Sequence, residues 1–194
     1  MRLFLAAELP AAVRERVVEI RDELAGELRG WRWVRPEGIH LTLRFLGEVD
    51  EARDLSARSA WRDAVASVSR FHVRLAGLGR FPEHGAARVL WLGIEETEPG
   101  GALARLASTL EMLAWEHAWA AETRRFHPHL TLARRARGGH ADAVPVRTAG
   151  AEAAGWVREV ILFRSRLERG GASYTAMDRF PLGDGSPVVG VRRI

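Results

Sequence analysis

The sequence predicts an α+β fold built as two similar lobes, each an antiparallel-rich sheet with helices on its outer face. Three observations point there. Strand-like and helix-like patterns interleave along the 194 residues, as strand–helix–strand–helix–strand and then in much the same order again. Some connections between strands are too short for the crossover that a parallel pair needs. One four-residue phrase also occurs twice, as His40-Leu41-Thr42-Leu43 and His129-Leu130-Thr131-Leu132, 89 residues apart. Each half carries one copy. No linker-like stretch divides the halves, so residues 1–194 are expected to form a single pseudo-symmetric domain of two lobes.

Each element has a local reason. Arg2 to Glu8 reads as the first strand, and Pro10 stands where a first helical turn begins. Val13, Val17, Ile20, Leu24 and Leu28 recur at helical spacing, and Gly30 ends the run. Trp31 to Val34 is a short extended piece. Pro36 and Gly38 turn the chain into the first motif strand, which runs from Ile39 to about Leu46 and closes at Gly47. Asp50 can cap a second helix over Glu51 to Val68, with a weaker stripe of Leu55, Trp61, Val65 and Val68. Phe71 to Leu75 alternates as a strand, and Gly77, Gly79 and Pro82 mark a turn after it. Arg88 to Ile94 is nearly continuous in apolar residues and suggests a central strand.

After the break at Pro99-Gly100-Gly101, Leu103, Leu106, Leu110 and Leu113 define one face of a third helix. The second motif strand begins near Phe126 and fades by Ala133. Ala136 to Gly155 is rich in Gly and Ala and reads as a loop that can include a short helix. Trp156 to Leu167 and Ser173 to Leu182 read as a hairpin joined through Gly170-Gly171, and the tail from Gly183 is turn-rich.

Composition narrows the chemistry. There is no cysteine, hence no disulfide, thiolate metal site or cysteine nucleophile. All 29 Lys+Arg residues are arginine. That excludes a lysine Schiff base, a lysine nucleotidyl-transfer nucleophile and a Walker-type phosphate loop. Arginine stays charged and forks onto phosphate oxygens. The net charge of +4 suits a polyanionic partner without requiring one. The apolar run Leu3 to Ala7 is too short for a signal-peptide core and is closed by Glu8, and no stretch has the length of a membrane span. A cytoplasmic protein, not bound to membrane, is expected.

The repeated phrase carries the functional expectation. On a strand, residues i and i+2 share a face, so each copy presents one imidazole and one hydroxyl together, with two leucines behind them. Imidazole moves protons near neutral pH, and a hydroxyl can hold an anionic oxygen. One His-x-Thr on a strand says little, but two identical copies are hard to attribute to chance. Facing each other, the pairs His40/Thr42 and His129/Thr131 make a symmetric acid–base site around a small anion.

These residues resemble a known family. Trp33-Val34, then His40 through Glu48, then Arg125-Phe126-His127-Pro128-His129-Leu130-Thr131-Leu132 with Arg134, look like the two-histidine phosphoesterases. Within these the match is to the RNA 2′,3′-cyclic phosphodiesterases of bacteria and archaea, first described as 2′–5′ RNA ligases. Leu78 to Pro82, Arg88 to Gly93, and Leu162 to Leu167 with Tyr174 fit as well. The resemblance implies a bilobal fold with the two sheets and their motif strands lining a central cleft. It implies hydrolysis of a terminal 2′,3′-cyclic phosphate of RNA or a nucleotide to a 2′-phosphate, with no cofactor and no metal. It further implies that His40 gives a proton to the departing 3′ oxygen, that His129 activates water, that Thr42 and Thr131 hold the non-bridging oxygens, and that Arg134 binds phosphate.

Other residues are weighed by position. His127-Pro128-His129 could suggest a metal pair, but no acidic or cysteine ligand lies close in sequence. Arg44 shares the parity of His40 and Thr42 and could reach phosphate. Arg134 has the opposite parity to His129, so it reaches the site only if the strand ends or bulges after Leu132. Phe45, Trp33 and Phe126 can stack a nucleobase or belong to the core, with Phe45 taken as substrate-binding. Ser165 and Tyr174 are weaker candidates, while His72, His84, His117 and His140 read as surface or structural. The competing functions are an RNA-binding module without turnover, 2′–5′ ligation as the reverse reaction, and metal-dependent hydrolysis through His127 and His129. A monomer is expected.

Overall fold

The computed structural model describes residues 1–136, 141–142, 153–168 and 171–184. Strands and helices run in the order β1 (Arg2–Ala7), α1 (Ala11–Glu27), β2 (Trp31–Trp33), β3 (Leu41–Glu48), α2 (Glu51–Ala66), β4 (Phe71–Phe81), β5 (Val89–Glu96), α3 (Ala102–Glu116), β6 (His129–Arg135), β7 (Ala154–Val157), β8 (Glu159–Glu168) and β9 (Gly171–Pro181). A 3-10 turn at Pro36–Gly38 leads into β3. The fold is α+β, and the pairings between these strands are all antiparallel.

The strand order is β7-β4-β5-β6-β3-β1-β8-β9, with β2 added alongside β6. The two expected sheets are therefore joined edge to edge. The joint is slight: β3 and β6 share one partner pair, Leu41↔Leu130. By contrast, β5 and β6 pair from Val89↔Arg134 to Gly93↔His129, and β1 and β3 from Arg2↔Glu48 to Ala7↔Leu41. The two motif strands thus meet at the middle of the sheet.

Two of the helices pack on the half opposite to the strand they leave. Helix α1 leaves β1 and lies against β7 and β2, while α3 leaves β5 and lies against β3 and α2. Helix α2 covers β9. One continuous core results, running from Leu3 and Leu5 through Leu41, Trp61, Leu92, Leu106, Leu130 and Phe180. Burial of each such leucine contributes about 2 kcal/mol. No helix among the described residues is long and apolar enough to cross a membrane.

Three expectations are corrected. The buried face of α2 is Asp54, Ala57, Trp61 and Val65, and Leu55 is 58 % exposed. Asp54 fits in that face because its carboxylate accepts two hydrogen bonds from Arg58, 2.6 and 3.2 Å long. Gly77 and Gly79 are not a turn, because β4 continues through them to Phe81. A Cβ on Gly79 would lie 2.2 Å from the Trp91 ring, so glycine is there to let the indole cross the strand. The segment read as a loop from Ala136 holds β7 at its far end, Ala154–Val157, paired with β4. The rest of that segment beyond Ala136, apart from 141–142 and Ala153, lies outside the described residues, as do His140, Gly170 and the tail beyond Asp184.

Candidate active site

Leu41 and Leu130 point into the core and are fully buried. Their neighbours on each strand therefore turn the other way. An antiparallel register through Leu41↔Leu130 sets His40 across from Thr131, and Thr42 across from His129. The two histidines are then diagonal neighbours, with backbones roughly 7–8 Å apart. All four side chains line one cleft of about 1810 Å³. Each imidazole has its partner hydroxyl on its own strand and a second hydroxyl across from it.

Each motif strand then bulges at the same place. On β3, Leu5 pairs with Arg44 and Ala6 with Thr42, so Leu43 is skipped. On β6, Leu90 pairs with Ala133 and Trp91 with Thr131, so Leu132 is skipped. An inserted residue reverses the parity of the residues beyond it. Arg134 consequently comes to the cleft side, exposed and unpaired among the described residues. Phe45 takes the equivalent place on β3, 51 % exposed in the cleft.

Because of the bulge, Arg44 departs from the expected parity. It does not share the face of His40 and Thr42 but turns inward, 7 % exposed. Its Nε lies 2.6 Å from Glu111 Oε2, and its Nη groups donate to the carbonyls of Phe45 and Ala120.

Aromatic rings that pattern reading did not connect with the motifs enclose both imidazoles. His40 has the ring of Phe4 at 4.8 Å, that of Phe163 at 5.7 Å and the edge of Tyr174 at 4.6 Å. Burial among them, with the charge of Arg14 as a lesser cause, pushes His40 down to about 4. His129 has Phe81 edge-on at 5.2 Å, Trp91 at 6.1 Å and His127 at 6.1 Å. Its pKa is also lowered, chiefly by burial, with His127 and Arg134 adding to the effect and a bond to the His127 carbonyl opposing it. The sequence did contain one signal, the glycine at 79 in an otherwise strand-like stretch.

His129 Nδ1 lies 2.7 Å from the His127 carbonyl. A carbonyl only accepts, so Nδ1 carries the hydrogen and Nε2 keeps its lone pair. His127 itself is exposed, with its ring edge-on to Trp91 at 4.6 Å. No group of three or more potential metal ligands occurs among the described residues. Ser165 and Tyr174 are partners across β8 and β9 and both line the cleft. Trp33 and Phe126 line it too, half-buried against the core. His72 lies elsewhere, with Nδ1 2.9 Å from Thr97 Oγ1, and the His117 carbonyl accepts from Arg53.

The cleft is basic. Arg2, Arg32, Arg35, Arg125 and Arg134 line it without an ion-pair partner among the described residues. The site can therefore hold a phosphate, take a proton at one side and give one at the other.

Residues 9–168 match the model of the 2′-5′ RNA ligase superfamily. The chain is 36 % identical over 180 residues to the RNA 2′,3′-cyclic phosphodiesterase of Archaeoglobus fulgidus, covering 90 % of this chain and 96 % of that protein. The crystal structure of a Thermus thermophilus protein superposes with a TM-score of 0.84 at 34 % identity, covering 95 % of this chain and all of the other. Escherichia coli LigT complexed with 3′-AMP gives a TM-score of 0.78 at 31 % identity, covering 93 % of this chain and 97 % of that one.

Proposed function

The chain belongs to the 2′-5′ RNA ligase superfamily, and from that premise we propose that it is an RNA 2′,3′-cyclic phosphodiesterase that opens the cyclic phosphate to a 2′-phosphomonoester. Residues 1–194 act as one catalytic domain, with one His-x-Thr motif in each half. The observation that carries this reading is the pairing of the two motif strands at Leu41↔Leu130, which supports it by bringing two imidazoles and two hydroxyls to one cleft.

Water attacks phosphorus in line with the bond to O3′. His129 Nε2 takes its proton, in keeping with the tautomer that the His127 carbonyl favours. His40 gives a proton to O3′ as that bond breaks. The hydroxyls of Thr42 and Thr131 and the guanidinium of Arg134 meet the charge on the non-bridging oxygens. Phe45 offers an apolar face for the terminal base. His40 favours its neutral form in the free site, so the phosphate anion supplies the counter-charge that lets it carry a proton. The residues around the motifs suit proton transfer and anion binding, and the reaction uses no metal and no cofactor.

The test is phosphorus NMR of the product from an RNA ended by a 2′,3′-cyclic phosphate. A 2′-phosphomonoester is expected, with turnover unchanged in EDTA. A 3′-phosphate overturns the order of bond breaking, and tight binding without turnover leaves an RNA-binding module instead.

A further inference from the structure

Arg44 is buried, yet nothing in the motif requires an arginine there. The same bulge in the second half puts Ala133 at the equivalent position, fully buried. The backbone therefore accommodates a small apolar residue in that place. Burying the Arg44 charge against Glu111, which stays 31 % exposed, is also a poor source of net stability, because desolvation offsets their attraction. What it does supply is a fixed geometry.

That geometry runs from one motif strand to the approach of the other. Arg44, two residues beyond Thr42, donates to the Ala120 carbonyl and pairs with Glu111 of α3. Glu111 uses its other oxygen to accept from the Glu122 backbone N–H at 2.9 Å. Arg53 of α2 holds the His117 carbonyl at 2.8 and 3.1 Å. The connection from 117 to 128 contains no regular element, and these bonds tie it down at 117, 120 and 122 beside the buried ring of Trp119. It ends at His127, whose carbonyl takes the Nδ1–H of His129, and at Pro128, whose carbonyl accepts from Ile94.

We propose that Arg44 and Glu111 form a positioning clamp: they hold the α3–β6 connection so that the His127 carbonyl keeps His129 in the Nδ1–H tautomer. Both border the cleft, and they act on His129 through the connection rather than on the reacting atoms. The clamp links the two motifs, since the strand that carries Thr42 orders the segment that orients His129. This deepens the proposed phosphodiesterase reading and rests on it for the catalytic consequence, but the tautomer itself is observable without substrate.

Arg44→Met alone leaves Glu111 without its partner and is expected to destabilise the fold. The informative variant is Arg44→Met with Glu111→Leu, which keeps volume and removes both charges. Long-range proton–nitrogen NMR of the free protein reads the His129 tautomer. The expected result is a single Nδ1–H form in the parent and a mixture with Nε2–H in the double variant, with kcat lower by about 10- to 100-fold and KM for a nucleoside 2′,3′-cyclic phosphate little changed. The titration of His129 in the free protein should move to lower pH, because the carbonyl bond that raises its pKa is weakened. An unchanged tautomer overturns the clamp, whatever the activity. A parent protein with the single tautomer but no turnover overturns the phosphodiesterase reading and leaves the clamp standing. If the double variant does not fold, Arg44→Lys takes its place. It keeps the pair with Glu111 but cannot also reach Ala120, and the same mixture is expected.

Discussion

At the scale of single residues, the two imidazoles differ in what holds them. His129 has a carbonyl on Nδ1, whereas His40 has only aromatic rings about it and no hydrogen-bond partner among the described residues. Alanine at either position should lower turnover by roughly 10²–10⁴-fold. With a nitrophenolate leaving group, which needs little protonation, His40→Ala should recover in steady-state assays and His129→Ala should not. Recovery of His129→Ala instead would swap the roles. Both pKa values lie below 6.5, so the bell of kcat/KM, which reports the free enzyme, should peak on the acid side of pH 6.5. The bell of kcat should lie higher, since bound phosphate favours the imidazolium. Stability has the same sign. Between pH 6.5 and about 4 the unfolded chain takes up the His40 proton before the folded one does. The melting temperature should fall as pH drops through that window, and by less in His40→Phe.

At the scale of elements, the bulges decide which side chains face the cleft. Alternation in His40-Leu41-Thr42-Leu43 was legible, and so was the break after Leu132, where Leu-Ala interrupts the pattern. Its twin after Leu43 was not, because Arg44 is polar and continues the alternation in sequence while entering the interior in space. The aromatic enclosure was hidden for another reason: Phe4, Phe81, Trp91, Phe163 and Tyr174 come from five strands, β1, β4, β5, β8 and β9, and only the order of strands brings them together. Gly79 shows how closely this enclosure is built. Gly79→Ala drives a methyl into the Trp91 ring and should cost about 1–3 kcal/mol in urea unfolding. Trp91→Leu in the same chain should restore most of that. A Gly79→Ala protein as stable as its parent would mean that the indole does not lie over β4.

At the scale of the whole molecule, the cleft is a basic channel much larger than one phosphate. Five arginines line it without ion-pair partners among the described residues, and each phosphate they neutralise releases counterions. Raising salt should therefore weaken KM for an oligonucleotide more steeply than for a mononucleoside cyclic phosphate. Equal slopes would confine binding to the terminal nucleotide. Periodicity showed where the helices lie, but it could not show which strands they cover, because an apolar stripe does not specify its partner. The exchange of α1 and α3 between the halves has a consequence for the integrity of the chain. The turn at 83–86 is exposed, and a protease that cuts there makes two pieces, each carrying a helix that packs on elements of the other, α1 on β7 and α3 on β3 and α2. Neither piece can fold by itself, and neither can leave without exposing the interior of both. The nicked protein should migrate as one particle on gel filtration and separate only in denaturant, as two interlocked fragments with no covalent bond between them.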